Sequence, residues 1–287
     1  MIEKILLADS GTGQSEQMLK ALMELPAIQR AEVTVLHIVP PQITADEMQD
    51  KREEGAKTLA KAVESLHLDP KQVRAVNTML REGEPKDEVC RVAEEINTDL
   101  IIMGSRGLTR LVSILENSVS QYVFQLSPRP MLLVKDDIYV KKINRIIVSY
   151  NDSGPAKASL KVALELLRGL KGGKLILSHV SPDLKGRSEE ITGAEAEKDP
   201  ILAGAIAEAK RQGVAYQCII SAGKPGEEIC RLAKDTNADL LVMGSPDRRP
   251  SVARSLPDLD RLLGTSISDY VRVNVECPVL FVRQTET

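Results

Sequence analysis

Short apolar runs alternate with segments of helical spacing along the chain, and this pattern predicts strands that are each followed by a helix. In the first half, runs rich in Val, Ile and Leu predict strands at Ile2–Ala8, Val33–Val39, Val73–Met79, Leu100–Met103 and Met131–Val134. Apolar residues three or four positions apart predict helices at Ser15–Leu25, Ala45–Leu66, Pro85–Ile96 and Ser118–Leu126. Strands and helices that alternate in this way favour a parallel sheet covered on both faces.

The second half repeats the same order of elements. Strands are predicted at Ile143–Tyr150, Leu175–Val180, Val214–Ile220, Leu240–Met243 and Val279–Val282, and helices at Ala156–Leu167, Asp199–Gln212, Pro225–Asp235 and Ser266–Val273. Continuous apolar runs are typical of strands that are buried on both faces. Each half is therefore predicted to be an α/β domain, a doubly wound, five-stranded parallel open sheet with helices on both faces.

A direct repeat accounts for the shared order. Gly83–Ser105 reads GEPKDEVCRVAEEINTDLIIMGS and Gly223–Ser245 reads GKPGEEICRLAKDTNADLLVMGS, so that 12 of 23 positions are identical at a constant offset of 140. We interpret the chain as a tandem duplication of one domain, with domains at residues 1–137 and 143–287. The closing strands suggest that the halves pair edge to edge as an intramolecular pseudo-dimer, which would protect two exposed edges. A further homodimer of chains stays open.

Composition narrows the classes of function. The 287 residues are 43% hydrophobic with a net charge of -3, as in ordinary globular proteins. Aromatic residues make up only 2% and no basic block is present, which argues against a nucleic-acid surface. No apolar run approaches the roughly 20 residues that span a bilayer. The four cysteines lack metal-site spacing and fit a reducing, cytoplasmic setting.

Candidate binding residues follow three strands of the first half. In open α/β sheets, ligands bind beyond the carboxyl ends of strands, where the strand order reverses. Gly104 and Gly107 flank two residues, and nine more separate Gly107 from Asn117-Ser118, ahead of a predicted helix. Glycines let backbone N–H groups approach a phosphate, and a helix N-terminus adds further unpaired donors. The pattern is therefore compatible with a phosphate-binding loop.

The order of elements, Asp9 after the first strand and the Gly-x2-Gly-x9-(small)-Ser pattern resemble the universal stress protein family, here as a tandem member covering the whole chain. The resemblance implies a Rossmann-like fold similar to the adenine nucleotide alpha hydrolases, and a cytoplasmic role in stress response. ATP-binding members carry Gly-x2-Gly-x9-Gly-(Ser/Thr). The resemblance therefore implies that the first half binds ATP or AMP, with Mg²⁺ if the nucleotide is ATP.

Carried over residue by residue, the resemblance places Asp9 near the nucleoside and the backbone of Ile38 against adenine. The first-half residues implied to surround the nucleotide are Ala8, Asp9, Ser10, Ile38, Met103, Gly104, Arg106, Gly107, Asn117, Ser118, Val119 and Ser120. A weaker second site is implied at Asn151, Val180, Gly244, Gly264, Thr265, Ser266 and Ser268.

The second half departs from the motif. Asp247 stands where the second glycine should be, and Gly264-Thr265-Ser266 arrives eight residues late. A carboxylate aimed at a phosphate is repulsive. We therefore expect the second half to be degenerate or retuned. In the first half Asn117 replaces the third glycine, and asparagine tolerates left-handed backbone better than most residues.

Alternative interpretations stay open. Gly104 and Gly107 also fit a plain turn, and Ser118–Gln121 and Ser266–Asp269 also fit helix capping boxes. Lone histidines at strand ends, such as His37, are interpreted as structural. No residue set supports efficient catalysis, so an enzyme is not the favoured interpretation. The alternatives to a nucleotide-binding regulator are a nucleotide-independent protein-interaction module and, behind it, a slow ATPase.

Overall fold

The computed structural model describes residues 2–9, 13–69, 72–105, 119–181, 191–245 and 266–283. Residue contacts group the chain into two units, the first built mainly from residues 1–137 and the second mainly from residues 138–287. Each unit contains five parallel strands with helices on both sides of the sheet. The predicted α/β class is confirmed.

The first unit has a sheet of strand order β3-β2-β1-β4-β5 in which every neighbouring pair is parallel. Its strands are β1 (Lys4–Ala8), β2 (Ala31–Val39), β3 (Val73–Glu82), β4 (Leu100–Ser105) and β5 (Met131–Lys135). Its helices are α1 (Gln14–Met23), α2 (Ala45–Leu66), α3 (Pro85–Glu95) and α4 (Val119–Leu126). The order reverses between β1 and β4, because the chain runs from β1 to β3 on one side and returns to β4 on the other.

Two helix pairs cover the two faces of this sheet. Helix α1 contacts α2, and α3 contacts α4. The strands between them are built from fully buried aliphatic residues such as Leu6, Val33 and Ile101. Burying this apolar surface on both faces is the main stabilising contribution to such a sheet.

The helix starts have local causes in the sequence. At α2, the Thr44 hydroxyl accepts a hydrogen bond from Glu47 N (3.2 Å), and Thr44 N donates to the Glu47 carboxylate (3.3 Å). This capping box satisfies two otherwise unpaired donors. Helix α3 begins at Pro85, where the missing N–H costs nothing because the first turn has no intrahelical partner for it.

The second unit repeats the parallel arrangement in the order β11-β10-β6-β7-β9 and adds β8, which pairs antiparallel with β9. Its strands are β6 (Arg145–Ser149), β7 (Lys174–Ser181), β8 (Ile191–Thr192), β9 (Ala215–Ala222), β10 (Leu240–Ser245) and β11 (Val279–Arg283). Its helices are α5 (Gly154–Leu167), α6 (Gly193–Ala196), α7 (Pro200–Arg211), α8 (Pro225–Asp235) and α9 (Ile267–Asn274). Neither β8 nor α6 was predicted, since two and four residues are too short to display a hydrophobic period.

Among the described helices, none combines the length and the apolar character that a membrane crossing requires.

Candidate functional site

The carboxyl ends of three neighbouring strands of the first unit lie side by side. Ala8, the last residue of β1, is in register with Leu36 of β2 and with Met103 of β4. Asp9 continues this alignment, and its N–H donates to Leu36 O at 2.9 Å. Because adjacent strands are about 4.8 Å apart, the structure brings Asp9 to the point where the strand order reverses. This is the location predicted from the sequence.

A cleft of about 680 Å³ opens beside Asp9. Its walls are formed by the ends of β1 and β2, the first turn of α1 and one face of α2: Asp9, Gly13, Glu16, His37, Ile38, Val39, Pro40, Lys51, Glu54, Gly55, Thr58, Lys61, Ala62 and Ser65. This volume is within the range of about 300–1,000 Å³ that is usual for small-molecule sites. Of the binding residues predicted from the sequence, Asp9 and Ile38 line this cleft directly.

The cleft contains a second buried carboxyl group that the sequence did not single out. Asp9 is 8% exposed and Glu16, in the first turn of α1, is 6% exposed. Burial raises the pKa of Glu16 above its ordinary value, and the negative charge of Asp9 adds to the increase. The Ser15 hydroxyl, at 3.5 Å from Glu16 Oε2, acts in the opposite direction. This end of the cleft is therefore acidic and rich in hydrogen-bond acceptors.

Helix α2 approaches β2 closely at Gly55. A Cβ atom at this position would lie 2.8 Å from Val39 Cγ2 and 3.2 Å from His37 Cδ2. The helix can therefore rest directly on the strand only with glycine here. The same packing buries Nδ1 of His37, which has no hydrogen-bond partner within the described chain.

Only some of the predicted binding residues on the β4 side of the site lie within the described residues. Gly104 pairs with Val134 of β5, at the half-buried end of β4. Val119 and Ser120 begin α4, and the Ser120 side chain is buried. The remaining first-half candidates, Ser10, Arg106, Gly107, Asn117 and Ser118, lie outside the described residues.

Tyr150 occupies in the second unit the backbone position that Asp9 occupies in the first. Its N–H donates to Ser178 O (2.8 Å) on β7, as the Asp9 N–H donates to Leu36 O on β2. The Tyr150 side chain is only 2% exposed. Its hydroxyl donates to Asp152 Oδ1 at 3.1 Å, and burial together with this carboxylate raises the pKa of Tyr150 to about 12. A neutral aromatic ring thus stands where the first unit has a carboxylate.

Asn151, which the sequence placed at the nucleoside end of the second site, lies one residue beyond this position. Its exposed side chain accepts from the Ser153 hydroxyl (2.7 Å) and stabilises the turn that leads into α5. Val180 is half-buried on β7 and is in register with Ser221 of β9. The side-chain contacts of Asn151 are those of a turn residue.

Gly244 has a packing role in the second unit. A Cβ atom at Gly244 would lie 2.4 Å from the carbonyl carbon of Pro155 and 2.6 Å from its oxygen. The start of α5 therefore rests against the backbone at the end of β10. This contact explains why the position requires glycine without invoking a phosphate.

The last candidates of the second unit surround the start of α9. Ser266 is the N-cap, and its hydroxyl accepts from Asp269 N (3.1 Å) and donates to Asp269 Oδ2 (2.6 Å). Ser268 is buried one turn before Arg272. Burial lowers the pKa of Arg272, and the charge of Asp269 opposes that decrease. Gly264 and Thr265 lie outside the described residues.

Comparison with known proteins agrees with this architecture. A family model described as the universal stress protein family matches residues 1–135 and matches again over residues 142–283. The chain belongs to the universal stress protein family. Because the model matches twice, the chain is a tandem member, and the resemblance inferred from the sequence is confirmed.

Individual universal stress proteins correspond to one half of this chain or to all of it. YxiE of Bacillus subtilis is 32% identical over 151 residues, which cover 47% of this chain and 100% of that protein. MJ0577 of Methanocaldococcus jannaschii is 28% identical over 161 residues, covering 47% of this chain and 96% of that protein. A universal stress protein structure from Archaeoglobus fulgidus, at 24% identity, covers 99% of this chain and 97% of its own with a TM-score of 0.73, and shows the same fold.

Three features of this universal stress protein were missed from the sequence. Glu16 lies in a helical pattern in which it reads as an ordinary polar position, and only its contact with Asp9 distinguishes it. The α2 wall of the cleft reads as a solvated charged face. Tyr150 was counted as part of a strand. The position of Gly55, a glycine inside a long helix, was the one available signal of close helix–strand approach.

Proposed function

We propose that the first unit binds an adenine nucleotide, ATP or AMP, and that the second unit does not bind it in the same way. The observation that carries the proposal is the buried carboxylate of Asp9 at the reversal of strand order, where it lines a cleft of about 680 Å³. Family membership supports a stress-response role. We place that role in the cytoplasm, and nucleotide binding would regulate it.

The chemistry of the cleft fits a nucleoside. The Asp9 carboxylate offers acceptors for ribose hydroxyl groups, as ionised carboxylates accept strong hydrogen bonds. Ile38 and Val39 supply an apolar wall, and the backbone of Ile38 supplies a donor and an acceptor at the end of β2 for the edge of adenine. A planar base flanked by aliphatic side chains and read by backbone groups is a usual arrangement in such pockets.

The phosphates would lie toward β4. Asp9 and Glu16 make the α1 end of the cleft acidic, and a phosphate placed there would be repelled. The glycine motif that begins at Gly104 follows β4, the neighbour of β1 in the sheet. Backbone N–H groups of such a loop suit phosphate oxygens, and Mg²⁺ would accompany the phosphates of ATP.

The second unit lacks this combination. Tyr150 replaces the carboxylate with a buried ring whose hydroxyl is already hydrogen-bonded to Asp152. Asp247 in the motif adds a negative charge that opposes phosphate binding. These differences support one nucleotide per chain.

Isothermal titration calorimetry with ATP and with AMP tests the proposal. Asp9→Asn removes the charge and one acceptor at nearly constant volume. We expect affinity to fall by roughly tenfold to a hundredfold, since a lost charged hydrogen bond costs about 1.5–3 kcal/mol. Asp152→Asn makes the same change in the second unit and should leave affinity unchanged. Equal effects of the two variants, or wild-type chain that binds neither nucleotide, would contradict the proposal.

A second variant tests the placement of the phosphates. Gly107→Asp imitates Asp247 of the second half. It should weaken ATP more strongly than AMP, because ATP carries more phosphate charge against the new carboxylate. An equal loss of affinity for both nucleotides would place the repulsion at the α-phosphate. Unchanged affinity for both would show that the phosphates do not bind at this loop.

A further inference from the structure

The two units differ at one edge of their sheets. In the second unit, the edge strand β9 is covered by β8, with Ile191 opposite Ile220 and Thr192 opposite Ile219, and α6 also contacts β9. In the first unit, the corresponding strand β3 pairs with β2, and the described residues provide no strand on its other side. Within the described residues, this ten-residue strand thus has an open edge.

Exposure at matched positions reflects this difference. The register of β2 with β3 and of β7 with β9 makes Leu80 equivalent to Ile220 and Thr78 equivalent to Cys218. Leu80 is 36% exposed, whereas Ile220 is 4% exposed. Thr78 is exposed, whereas Cys218 is buried. An uncovered edge with exposed apolar residues is a template for pairing with another strand.

The backbone direction along β3 determines which residues face outward. Gly83 N–H donates to Val39 O of β2 (3.1 Å), and the register with β2 is regular from Ala75 onward. In this part of the strand the odd-numbered residues therefore turn their backbone groups toward β2. Since these groups alternate along a strand, the even-numbered residues turn theirs away from it. Val76, Thr78 and Leu80 therefore present at the edge N–H and C=O groups that no strand in the described part of the chain pairs.

The strand is complementary to itself in one antiparallel register. Outward-facing residues must lie opposite one another in a hydrogen-bonded antiparallel pair. With Thr78 opposite Thr78 on the two-fold axis, Val76 lies opposite Leu80 of the second copy, so that the two exposed apolar side chains meet.

We propose that β3 is a self-association edge, and that two copies of the chain join through antiparallel pairing of β3 with β3 in this register. The pairing would continue the sheet of one first unit into that of the other. Each copy would bury Val76 and Leu80 and satisfy the outward backbone groups of its edge strand. This interface is distinct from the nucleotide cleft and does not depend on nucleotide binding.

The proposed contact is confined to two edge strands, and interfaces below roughly 1,200 Å² are typical of weak or transient association. The dimer is therefore expected to be concentration-dependent. Sedimentation velocity of the full chain from about 1 to 100 µM should show a shift from monomer to dimer, as for interfaces at the low end of the size range.

Charged substitutions test the register. In a chain carrying both Val76→Lys and Leu80→Lys, two lysines would face each other twice across the interface, and this chain should remain monomeric. A chain that carries both Val76→Glu and Leu80→Glu should also remain monomeric, because two glutamates repel each other as two lysines do. An equimolar mixture of the two chains places Lys opposite Glu and should restore the dimer. Lys171→Glu, an exposed charge reversal in the second unit, should dimerise as the wild type does.

Circular dichroism would check that each variant chain is folded. Val76→Lys alone is a milder variant, because Val76 is 37% exposed, and it should weaken the dimer at least fivefold. A wild-type chain that stays monomeric over the whole range overturns the proposal. So does a double-lysine chain that dimerises like the wild type, or a mixture of lysine and glutamate chains that stays monomeric.

Discussion

Asp9 and Tyr150 occupy the same backbone position in the two units and give the two strand ends different chemistry. The Asp9 carboxylate is an acceptor at the wall of a cleft, whereas the Tyr150 ring is buried and its hydroxyl is already used by Asp152. The backbone hydrogen bond that aligns each residue is the same. At this position the two units therefore differ in their side chain and not in their backbone pairing.

Glu16→Gln tests the buried carboxyl pair. The raised pKa means that the folded chain binds a proton at Glu16 more readily than the unfolded chain does. Stability is then lost as the pH rises from the ordinary value of 4.5 through the raised value. Glutamine cannot ionise, so the variant should unfold at a higher temperature than the wild type at pH 7. The difference should vanish below pH 4.5.

Glu64→Gln is the control for this thermal-unfolding series, because Glu64 is an exposed glutamate on α2. Its unfolding temperature should follow that of the wild type at every pH. If Glu16→Gln is destabilising at pH 7, or if its effect is independent of pH, then the carboxyl group is not held in the environment described.

The sequence predicted part of the site at this scale. Asp9 and Ile38 were predicted to line a ligand site, and they line the cleft. Tyr150 was not recognised because the strand was predicted to run through Tyr150, which placed Asn151 at its end, whereas the strand ends at Ser149 and its register makes Tyr150 the equivalent of Asp9. A shift of one residue in a strand moves each side chain to the opposite face. Backbone pairing was needed to find the true equivalent.

At the scale of elements, the helices and strands whose ends are set by a local sequence signal were predicted best. Helix α2 begins and ends as predicted, since a capping box marks its start. Strand β3 runs to Glu82, whereas the sequence predicted its end at Met79. The prediction stopped early because charged residues near the end of the strand interrupt the apolar run. The β8 strand exists through its pairing with β9, and a two-residue segment has no sequence pattern of its own.

Gly244→Ala tests the packing of α5 on β10. The added methyl group would lie 2.4 Å from the Pro155 backbone, which cannot move away as a flexible side chain would. Overpacking of this kind typically costs about 1–3 kcal/mol. We expect the free energy of unfolding in urea to fall by about that amount for the transition that reports on the second unit.

Gly204→Ala is the matched control, because Gly204 lies inside α7 and its Cβ would meet no atom within 4 Å. Alanine there should stabilise the chain by about 0.5–1 kcal/mol through lower backbone entropy in the unfolded state. If Gly244→Ala does not change the free energy of unfolding, the contact with Pro155 is not the reason for glycine at this position. Phosphate binding would then be the favoured explanation for this glycine.

At the scale of the whole molecule, duplication has kept the architecture and varied the surfaces. Both units retain the order of five parallel strands and the reversal beside the first strand. They differ at that strand end, where Asp9 corresponds to Tyr150, and at the sheet edge, where only β9 is covered within the described chain. The predicted edge-to-edge pairing of the halves stays a prediction.

The number of nucleotides bound per chain tests the central claim most directly. Equilibrium dialysis of the full-length chain against labelled ATP with Mg²⁺ measures this number without assuming where the ligand lies. The account predicts saturation at one ATP per chain, and an affinity lower by roughly tenfold to a hundredfold in Asp9→Asn. Saturation at two per chain would show that the second unit binds equally well, and no binding of ATP or AMP would contradict the account altogether.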